Sequence, residues 1–170
     1  MSETYQTEEN LKTAFAGESQ ANRRYLMFAD KADKEGYRQA ARLFRAAADA
    51  ETVHARNHFA AMDGVGSTRD NLTAAAIGEH HEFTRMYPPF IEKAEEEQNA
   101  RAARSFNLAN EVEQIHHRLF EAMLKAVESS QTVKEEPVFV CQVCGNTVAG
   151  QAPDKCPVCG ANRSSFKQTE

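Results

Sequence analysis

The chain has 170 residues, a formal net charge of −5 and four cysteines. Its length suits one ordinary domain, or one domain with a small appendage. The acidic charge argues against nucleic acid as the main partner, and no apolar run approaches the roughly 20 residues that cross a bilayer. The N-terminal stretch MSETYQTEENLKTAF lacks the basic and apolar regions of a secretory signal, so a cytoplasmic location is expected.

Four helices are predicted from hydrophobic periodicity in the first part of the chain. Their approximate ranges are 7–34, 37–62, 72–98 and 100–128. The third helix passes through Pro88-Pro89, which we expect to kink the helix rather than end it. The predicted domains are a helical bundle at 1–130, a polar linker at 131–137 and a small β-prone domain at 138–170.

Acidic residues interrupt the apolar stripe of each helix near its middle. In AAAIGEHHEFTRMYPPF, residues 74–90, Glu79 and Glu82 lie on the stripe that Leu72, Ala75 and Met86 define. A bare buried carboxylate costs on the order of several kcal/mol, which forces protonation instead. We therefore expect a positive charge beside these acids.

An internal repeat relates the acids to two histidines. Glu18 precedes Glu51 of ETVH by nearly the same interval at which Glu79 precedes Glu113 of EQIH. In Glu-x-x-His both side chains lie one turn apart on one helix face, so both can reach one metal cluster. Two single glutamates with two such pairs form the ligand set of ferritin-like di-iron and di-manganese proteins. The predicted ligands are Glu18, Glu51, His54, Glu79, Glu113 and His116, with Glu82 as a seventh candidate.

Other polar residues near these stripes receive separate predictions. Without metal, mutual repulsion should raise several of the carboxyl pKa values. His80 is expected at the surface and His117 is expected to be exposed. Spacing alone leaves open whether Tyr25 and Tyr87 hydrogen-bond near the metal cluster or pack as ordinary amphipathic residues.

The four cysteines predict a second metal site. Cys141-x-x-Cys144-Gly and Cys156-Pro-x-Cys159-Gly are two knuckles whose inner cysteines are separated only by the short segment 145–155. Two such turns converge into a tetrahedral S₄ site, and a metal is needed because so small a segment cannot bury a sufficient core. The spacing does not choose between a structural zinc ribbon and an electron-transferring iron site.

Both halves of the chain together resemble rubrerythrin. GESQANRRY at 17–25, ETVH, GEHHEFTRMYP, EQIHHRLF and VCGNTV…DKCPVCGA are similar to the family's motifs and follow the family's order. The resemblance implies a mainly α fold: a ferritin-like four-helix bundle with a small C-terminal rubredoxin-like, metal-bound β domain. The implied cofactors are two iron ions in the carboxylate and histidine site and one iron ion, or zinc, in the Cys₄ site.

The resemblance also implies an activity. The chain would be a peroxidase that reduces hydrogen peroxide to water in oxidative-stress defence, with electrons from a reductase or rubredoxin relayed through the Fe(Cys)₄ centre. Members of this family commonly form homodimers. On this mapping His54 alternates with Glu82 on one iron as the oxidation state changes, and Tyr25 and Tyr87 hydrogen-bond around the site. Asn146 is a departure, because stand-alone rubredoxins usually place an aromatic residue there, and a change in the redox potential or in the metal retained is expected.

Two other functions remain open from the residues alone. A ferroxidase or iron-handling protein could use the same bundle, although iron deposition does not require a cysteine domain. A non-enzymatic scaffold could hold zinc in its cysteines. Iron well beyond three ions per chain would indicate the first, and a colourless zinc protein would indicate the second.

Overall fold

The computed structural model describes residues 6–129 and 132–169. The first five residues of the N-terminal stretch and the predicted domain boundary at 130–131 lie outside these ranges. The chain divides into two compact units, Met1–Gly66 and Ser67–Glu170. The predicted fold class, mainly helical with a small C-terminal strand domain, is confirmed. Among the described residues, no helix has the length and apolar character needed to span a bilayer.

The first unit is an antiparallel pair of helices, α1 (Gln6–Lys34) and α2 (Arg38–Ala61). Ala29, Ala32 and Ala41 are buried where the helices meet, because small side chains let two backbones approach closely. At the other end of the pair, the rings of Phe15 and Phe59 stack with centroids 4.9 Å apart. Both predicted ranges agree with these helices to within one residue at each end.

The second unit begins with an interrupted helix that packs against a long one. Its parts are α3 (Thr68–His81), a π-helical turn (Glu82–Met86) and α4 (Tyr87–Glu96), and the long helix is α5 (Ala100–Glu128). The sequence placed the start of α3 four residues too late. Ser67 explains the difference, since its hydroxyl accepts from the Asp70 amide and caps the helix at this earlier position.

The prolines do not end the helix, as predicted, but the irregularity lies just before them. Residues Glu82–Met86 form a π-turn, closed by a hydrogen bond from the Tyr87 amide to the Glu82 carbonyl. Pro88 and Pro89 then occupy the first turn of α4, where a missing amide proton costs little. The helix therefore contains about one extra residue in a single turn that begins at Glu82 and follows Glu79.

The C-terminal part of this unit is a three-stranded antiparallel sheet in the order β2-β1-β3. The strands are β1 (Val138–Cys141), β2 (Thr147–Ala149) and β3 (Phe166–Gln168). Residues 132–137 before it contain neither helix nor strand. Gly145 and Gly160 each close one cysteine turn with φ of +88° and +76°, a conformation that glycine adopts without strain.

Candidate metal centres

The first unit brings Glu18 of α1 together with Glu51 and His54 of α2. The ligand atoms of these three residues, called triad 1, lie within 4.8 Å of one another. His54 Nδ1 is 2.8 Å from Glu51 Oε2 and 3.8 Å from Glu18 Oε1. Asn22 holds the helices in register here, since its amide donates to the Ala48 carbonyl over 2.7 Å. Triad 1 thus presents two carboxylates and one imidazole nitrogen to a single point.

The second unit repeats this arrangement with Glu79 of α3 and with Glu113 and His116 of α5. The ligand atoms of this triad 2 also lie within 4.8 Å of one another. His116 Nδ1 is 2.8 Å from Glu113 Oε2 and 3.7 Å from Glu79 Oε1. The internal repeat therefore exists in three dimensions, down to the nitrogen that faces the carboxylates. All three side chains of triad 2 are at least half-buried.

Crowding of the acids in the second unit changes their titration. Burial, and then the nearby charge of Glu113, raises the pKa of Glu79 above its ordinary value. Burial, and then the charge of Glu79, raises the pKa of Glu82. The expected rise in carboxyl pKa values is confirmed in direction for these two residues, although burial, and not the predicted mutual repulsion, is its largest cause. A bound cation removes the repulsion, which is the solution that the sequence pattern indicated.

Glu82 stands apart from triad 2, although it lies one turn after Glu79. It is the first residue of the π-turn, and its half-buried side chain does not join the group of atoms within 4.8 Å of one another. π-turns inside helices occur frequently at functional sites, where they re-aim side chains. The turn places Glu82 beside triad 2 as an additional acid.

The two predicted tyrosines have different surroundings. Burial, and then the charges of Glu82, Glu113 and Glu79, raises the pKa of Tyr87, so this phenol lies within the field of the acids. Tyr25 packs among rings in the first unit, with centroids 6.3 Å from those of both Phe28 and Phe44. The described contacts therefore relate Tyr87 to the acid cluster and Tyr25 to the aromatic core.

The prediction that His117 is exposed is wrong. Its Nδ1 lies 2.9 Å from the Ala76 carbonyl, which links α5 to α3, and its ring packs on those of His80 and Phe83. The pattern within α5 does not show this contact, because the partner of His117 belongs to a different helix. His80 is exposed, as predicted.

A contact that the sequence did not predict joins triad 2 to the sheet. His116 Nε2 lies 2.9 Å from Thr147 Oγ1 on β2, and the Thr147 hydroxyl donates to the Gly145 carbonyl over 3.1 Å. His116 and Thr147 are far apart in the chain and belong to different kinds of structure. No local signal in the sequence could have paired them.

A cavity of about 430 Å³ lies between the helices of the second unit and the sheet. Glu79 and His116 border it, and most of its wall is apolar, with Leu72, Phe120 and Val138 among the lining residues. Apolar cavities with a few convergent polar groups are the usual form of small-molecule sites. The cavity gives a small molecule room beside triad 2.

The four cysteines converge as predicted. Cys141 Sγ lies 3.7 Å from Cys159 Sγ, and Cys144 Sγ lies 3.6 Å from Cys156 Sγ. A tetrahedral site with metal–sulfur bonds of about 2.3 Å has sulfur atoms about 3.8 Å apart, so the cluster fits a four-coordinate ion. The two knuckles have matching hydrogen bonds, from Gly145 N to Cys141 O and from Gly160 N to Cys156 O.

Hydrogen bonds to sulfur favour thiolate at one cysteine in particular. Burial acts to raise the pKa of Cys156, but backbone N–H groups of Cys159 and Val158, together with hydrogen bonds from the Cys144 and Cys159 side chains, lower the pKa to about 7. Burial raises the pKa of Cys144 and of Cys159. The amide of the fully buried Asn146 also donates to Cys156 Sγ over 3.6 Å. Such bonds tune the redox potential of a metal held by the sulfur atoms.

Comparison with known proteins identifies the family. Residues 9–124 match the family model described as Rubrerythrin, and residues 139–167 match the model of the rubrerythrin rubredoxin-like domain. The chain belongs to the rubrerythrin family. It is 40% identical to a rubrerythrin of Porphyromonas gingivalis, over 95% of this chain and 88% of that protein. It is 34% identical to Rubrerythrin-2 of Clostridium acetobutylicum, over 95% of each chain.

Solved structures of nigerythrin have the same fold. The mixed-valence form has a TM-score of 0.58 and 33% identity, covering 99% of this chain and 88% of that one. The fully reduced, all-ferrous form has a TM-score of 0.59 and 32% identity, covering 99% and 89%. Together with the donor sets of this rubrerythrin-family chain, these comparisons identify its cofactors as iron, in a carboxylate and histidine site and in the Cys₄ site.

Proposed function

We propose that this rubrerythrin-family protein is a non-haem di-iron peroxidase that reduces hydrogen peroxide to water. One peroxide, two electrons and two protons give two waters. The observation that carries the proposal is the contact of an acid and imidazole triad with the sheet of the Cys₄ domain, through His116 and Thr147. A centre that stores one electron at a time therefore adjoins a site suited to a two-electron reaction.

The proposed di-iron ligands are the six residues of the two triads together with Glu82. Triads 1 and 2 each offer two carboxylates and one Nδ1, and their matching geometry supports equivalent roles around a pair of ions. When bound, the iron pair supplies one electron from each ion and a Lewis acid for cleavage of the O–O bond. The third iron is held by the four cysteines, Cys141, Cys144, Cys156 and Cys159.

We propose that His54 and Glu82 exchange as ligands when the oxidation state changes. The His54 side chain is 53% exposed, whereas that of His116 is 25% exposed and its Nε2 contacts Thr147 Oγ1. His54 therefore has more freedom to leave a metal. Glu82 should bind the ferric ion more strongly than the ferrous ion, because a carboxylate neutralises ferric charge better than an imidazole. Its raised pKa and its position in the π-turn support this role.

Tyr87 is the proposed hydrogen-bond donor to a reacting oxygen. A phenol is already protonated at neutral pH, and burial raises the pKa of Tyr87 further, so its hydroxyl can donate to the acids or to an oxygen that bears negative charge. We also propose Tyr25 as a residue of the active site, on the resemblance of the GESQANRRY stretch to the family's motif. The aromatic packing of Tyr25 with Phe28 and Phe44 would hold its ring in place.

The proposed setting is a homodimer in the cytoplasm that receives electrons from a reductase or a rubredoxin. Large apolar side chains of the first unit support a second copy as partner, since Met27, Leu43 and Val53 are more than half exposed. Light scattering with size-exclusion chromatography tests the dimer. A mass twice the chain mass of 18.9 kDa is expected, and a monomer at micromolar concentration would contradict it.

Stopped-flow mixing of the anaerobically reduced protein with hydrogen peroxide tests the activity. Both iron centres should reoxidise with consumption of one peroxide per two electrons. Glu113→Ala should abolish the fast phase, whereas Glu111→Ala, on the exposed side of the same helix, should leave it intact. A reduced protein that stays inert towards peroxide, or that accumulates iron well beyond three ions per chain, would exclude the peroxidase.

A further inference from the structure

The hydroxyl of Thr147 has a defined direction. It lies 3.1 Å from the Gly145 carbonyl, which only accepts, so the hydroxyl proton points to that oxygen. The lone pairs of Thr147 Oγ1 are then left for His116 Nε2, which is 2.9 Å away. This arrangement favours a proton on Nε2 of His116, which then donates to Thr147 Oγ1.

This donation fixes the electronic state of the other ring nitrogen. In a neutral imidazole with a proton on Nε2, Nδ1 has a lone pair. Here Nδ1 faces Glu113 Oε2 at 2.8 Å, so two electron-pair donors point at the same space. The contact is repulsive until a cation occupies that space. Without Thr147, a proton on Nδ1 would form a good hydrogen bond to Glu113 and would block a metal.

The equivalent histidine lacks such a partner. His54 Nδ1 faces Glu51 at the same distance of 2.8 Å, but within residues 6–129 and 132–169 its Nε2 has no hydrogen-bond partner. The two triads share their ligand geometry, but they differ in the contacts of Nε2, the ring nitrogen that faces away from the carboxylates. The Cys₄ domain supplies that difference through β2.

We propose that Thr147 is a positioning residue for the di-iron site. Its hydroxyl selects the Nε2–H tautomer of His116, which leaves Nδ1 ready for a metal, and it ties the ring to the turn that contains Cys144 and Gly145. The proposal rests on the proposed ligand role of His116. Hydrogen bonds behind a histidine ligand typically change metal affinity by about 10–100-fold.

The first test is the tautomer of His116 by long-range ¹⁵N–¹H correlation NMR. The protein would carry one equivalent of zinc, which the thiolates bind first, at about pH 8.5, above the ordinary imidazole pKa. We expect the Nε2–H tautomer in the natural protein and in Thr147→Ser. Thr147→Val, which keeps the shape and removes the hydroxyl, should convert His116 to the Nδ1–H form. His54 is the internal control and should not change.

The second test is Mn²⁺ affinity by calorimetry on the same samples, because oxygen and imidazole donors suit this ion. Thr147→Val should weaken binding about 10–100-fold, and Thr147→Ser should stay within about threefold of the natural protein. A merely structural role for Thr147 would leave the tautomer unchanged while altering stability. An Nδ1–H tautomer in the natural protein overturns the proposal even if a variant fails to fold. Neither readout needs peroxide, so loss of the peroxidase proposal would leave this test valid.

Discussion

Asn146 donates its side-chain amide to the sulfur of Cys156 from a position that is 1% exposed to solvent. A hydrogen bond to a thiolate is stronger when the metal is ferrous, because the sulfur then carries more negative charge. Asn146→Leu should therefore lower the reduction potential of the Cys₄ iron. Loss of about 1 kcal/mol of hydrogen-bond stabilisation of the ferrous form would lower the potential of this one-electron couple by about 40 mV.

Protein-film voltammetry measures this potential directly. Gln142→Leu is the matched control, because the Gln142 amide donates to the Val140 carbonyl in the same turn and not to sulfur. The control should keep its potential within about 10 mV, a small fraction of one hydrogen bond. An unchanged potential in Asn146→Leu would show that the amide does not tune the iron.

Removal of the charge of Glu79 should stabilise the metal-free protein at neutral pH. Its folded pKa lies above the ordinary value of 4.5 because of burial and the charge of Glu113. A raised folded pKa means that the stabilising contribution is fully present below the unfolded pKa and is lost as the pH rises through the folded pKa. Glu79→Gln removes this pH dependence, so the variant should unfold at a higher temperature at pH 7.5 and show little difference at pH 4.

Thermal unfolding by circular dichroism, with and without Mn²⁺, checks the prediction. With Mn²⁺ bound, the natural protein should unfold at a higher temperature than Glu79→Gln, since only the natural protein has the full set of carboxylates. Glu92→Gln, on the exposed surface of α4, is the control and should behave as the natural protein does. Equal unfolding temperatures for Glu79→Gln and the control at pH 7.5 would refute the account of repulsion.

The proposed exchange of ligands between His54 and Glu82 predicts opposite effects of two substitutions. His54→Ala should mainly weaken iron retention in the diferrous state, and Glu82→Ala should mainly weaken retention in the diferric state. We expect a difference of about tenfold or more between oxidation states, the lower end of what a ligand partner contributes. Timed iron release to a chelator from each state measures it. Identical losses in both states for both variants would contradict the exchange.

The sheet should depend on its metal. Three strands of three or four residues bury little apolar surface, so the four sulfur–metal bonds supply most of the folding free energy. Cys156→Ser should greatly accelerate amide hydrogen exchange at the Val140 and Lys167 pair while the helices keep their protection. Ser164→Ala, between Cys159 and β3, is the control. Full protection of the sheet in metal-free Cys156→Ser would disprove this dependence.

The parts of the site that sequence could predict are those fixed by local geometry. Glu51 and His54 lie one turn apart on any helix, and Glu113 and His116 repeat them, so both triads follow from helical spacing and the repeat. The two cysteine knuckles are also predicted from short spacings in the sequence. Within the second unit, the pairing of Thr147 with His116 depends on how a sheet packs on a helix, and no spacing rule encodes it.

The π-turn shows an intermediate case. Pro88 and Pro89 predict a kink where they lie, but the irregular turn is at Glu82–Met86, because its type and place depend on which backbone groups find partners. The exposure of His117 was predicted wrongly for a similar reason, because its partner is the Ala76 carbonyl on a different helix. The sequence predicts the secondary-structure elements well, but it does not predict the contacts between them.

In the proposed function, the residues of triads 1 and 2 serve as ligands to one coupled pair of iron ions. Mössbauer spectroscopy of the oxidised protein, loaded with ⁵⁷Fe, tests it most directly. We expect three iron ions per chain: one with the parameters of ferric iron bound by four thiolates, and two as a spin-coupled, diamagnetic diferric pair. Two magnetically isolated ferric ions on carboxylate and imidazole ligands would mean that each triad binds its own metal, and the di-iron site would not exist.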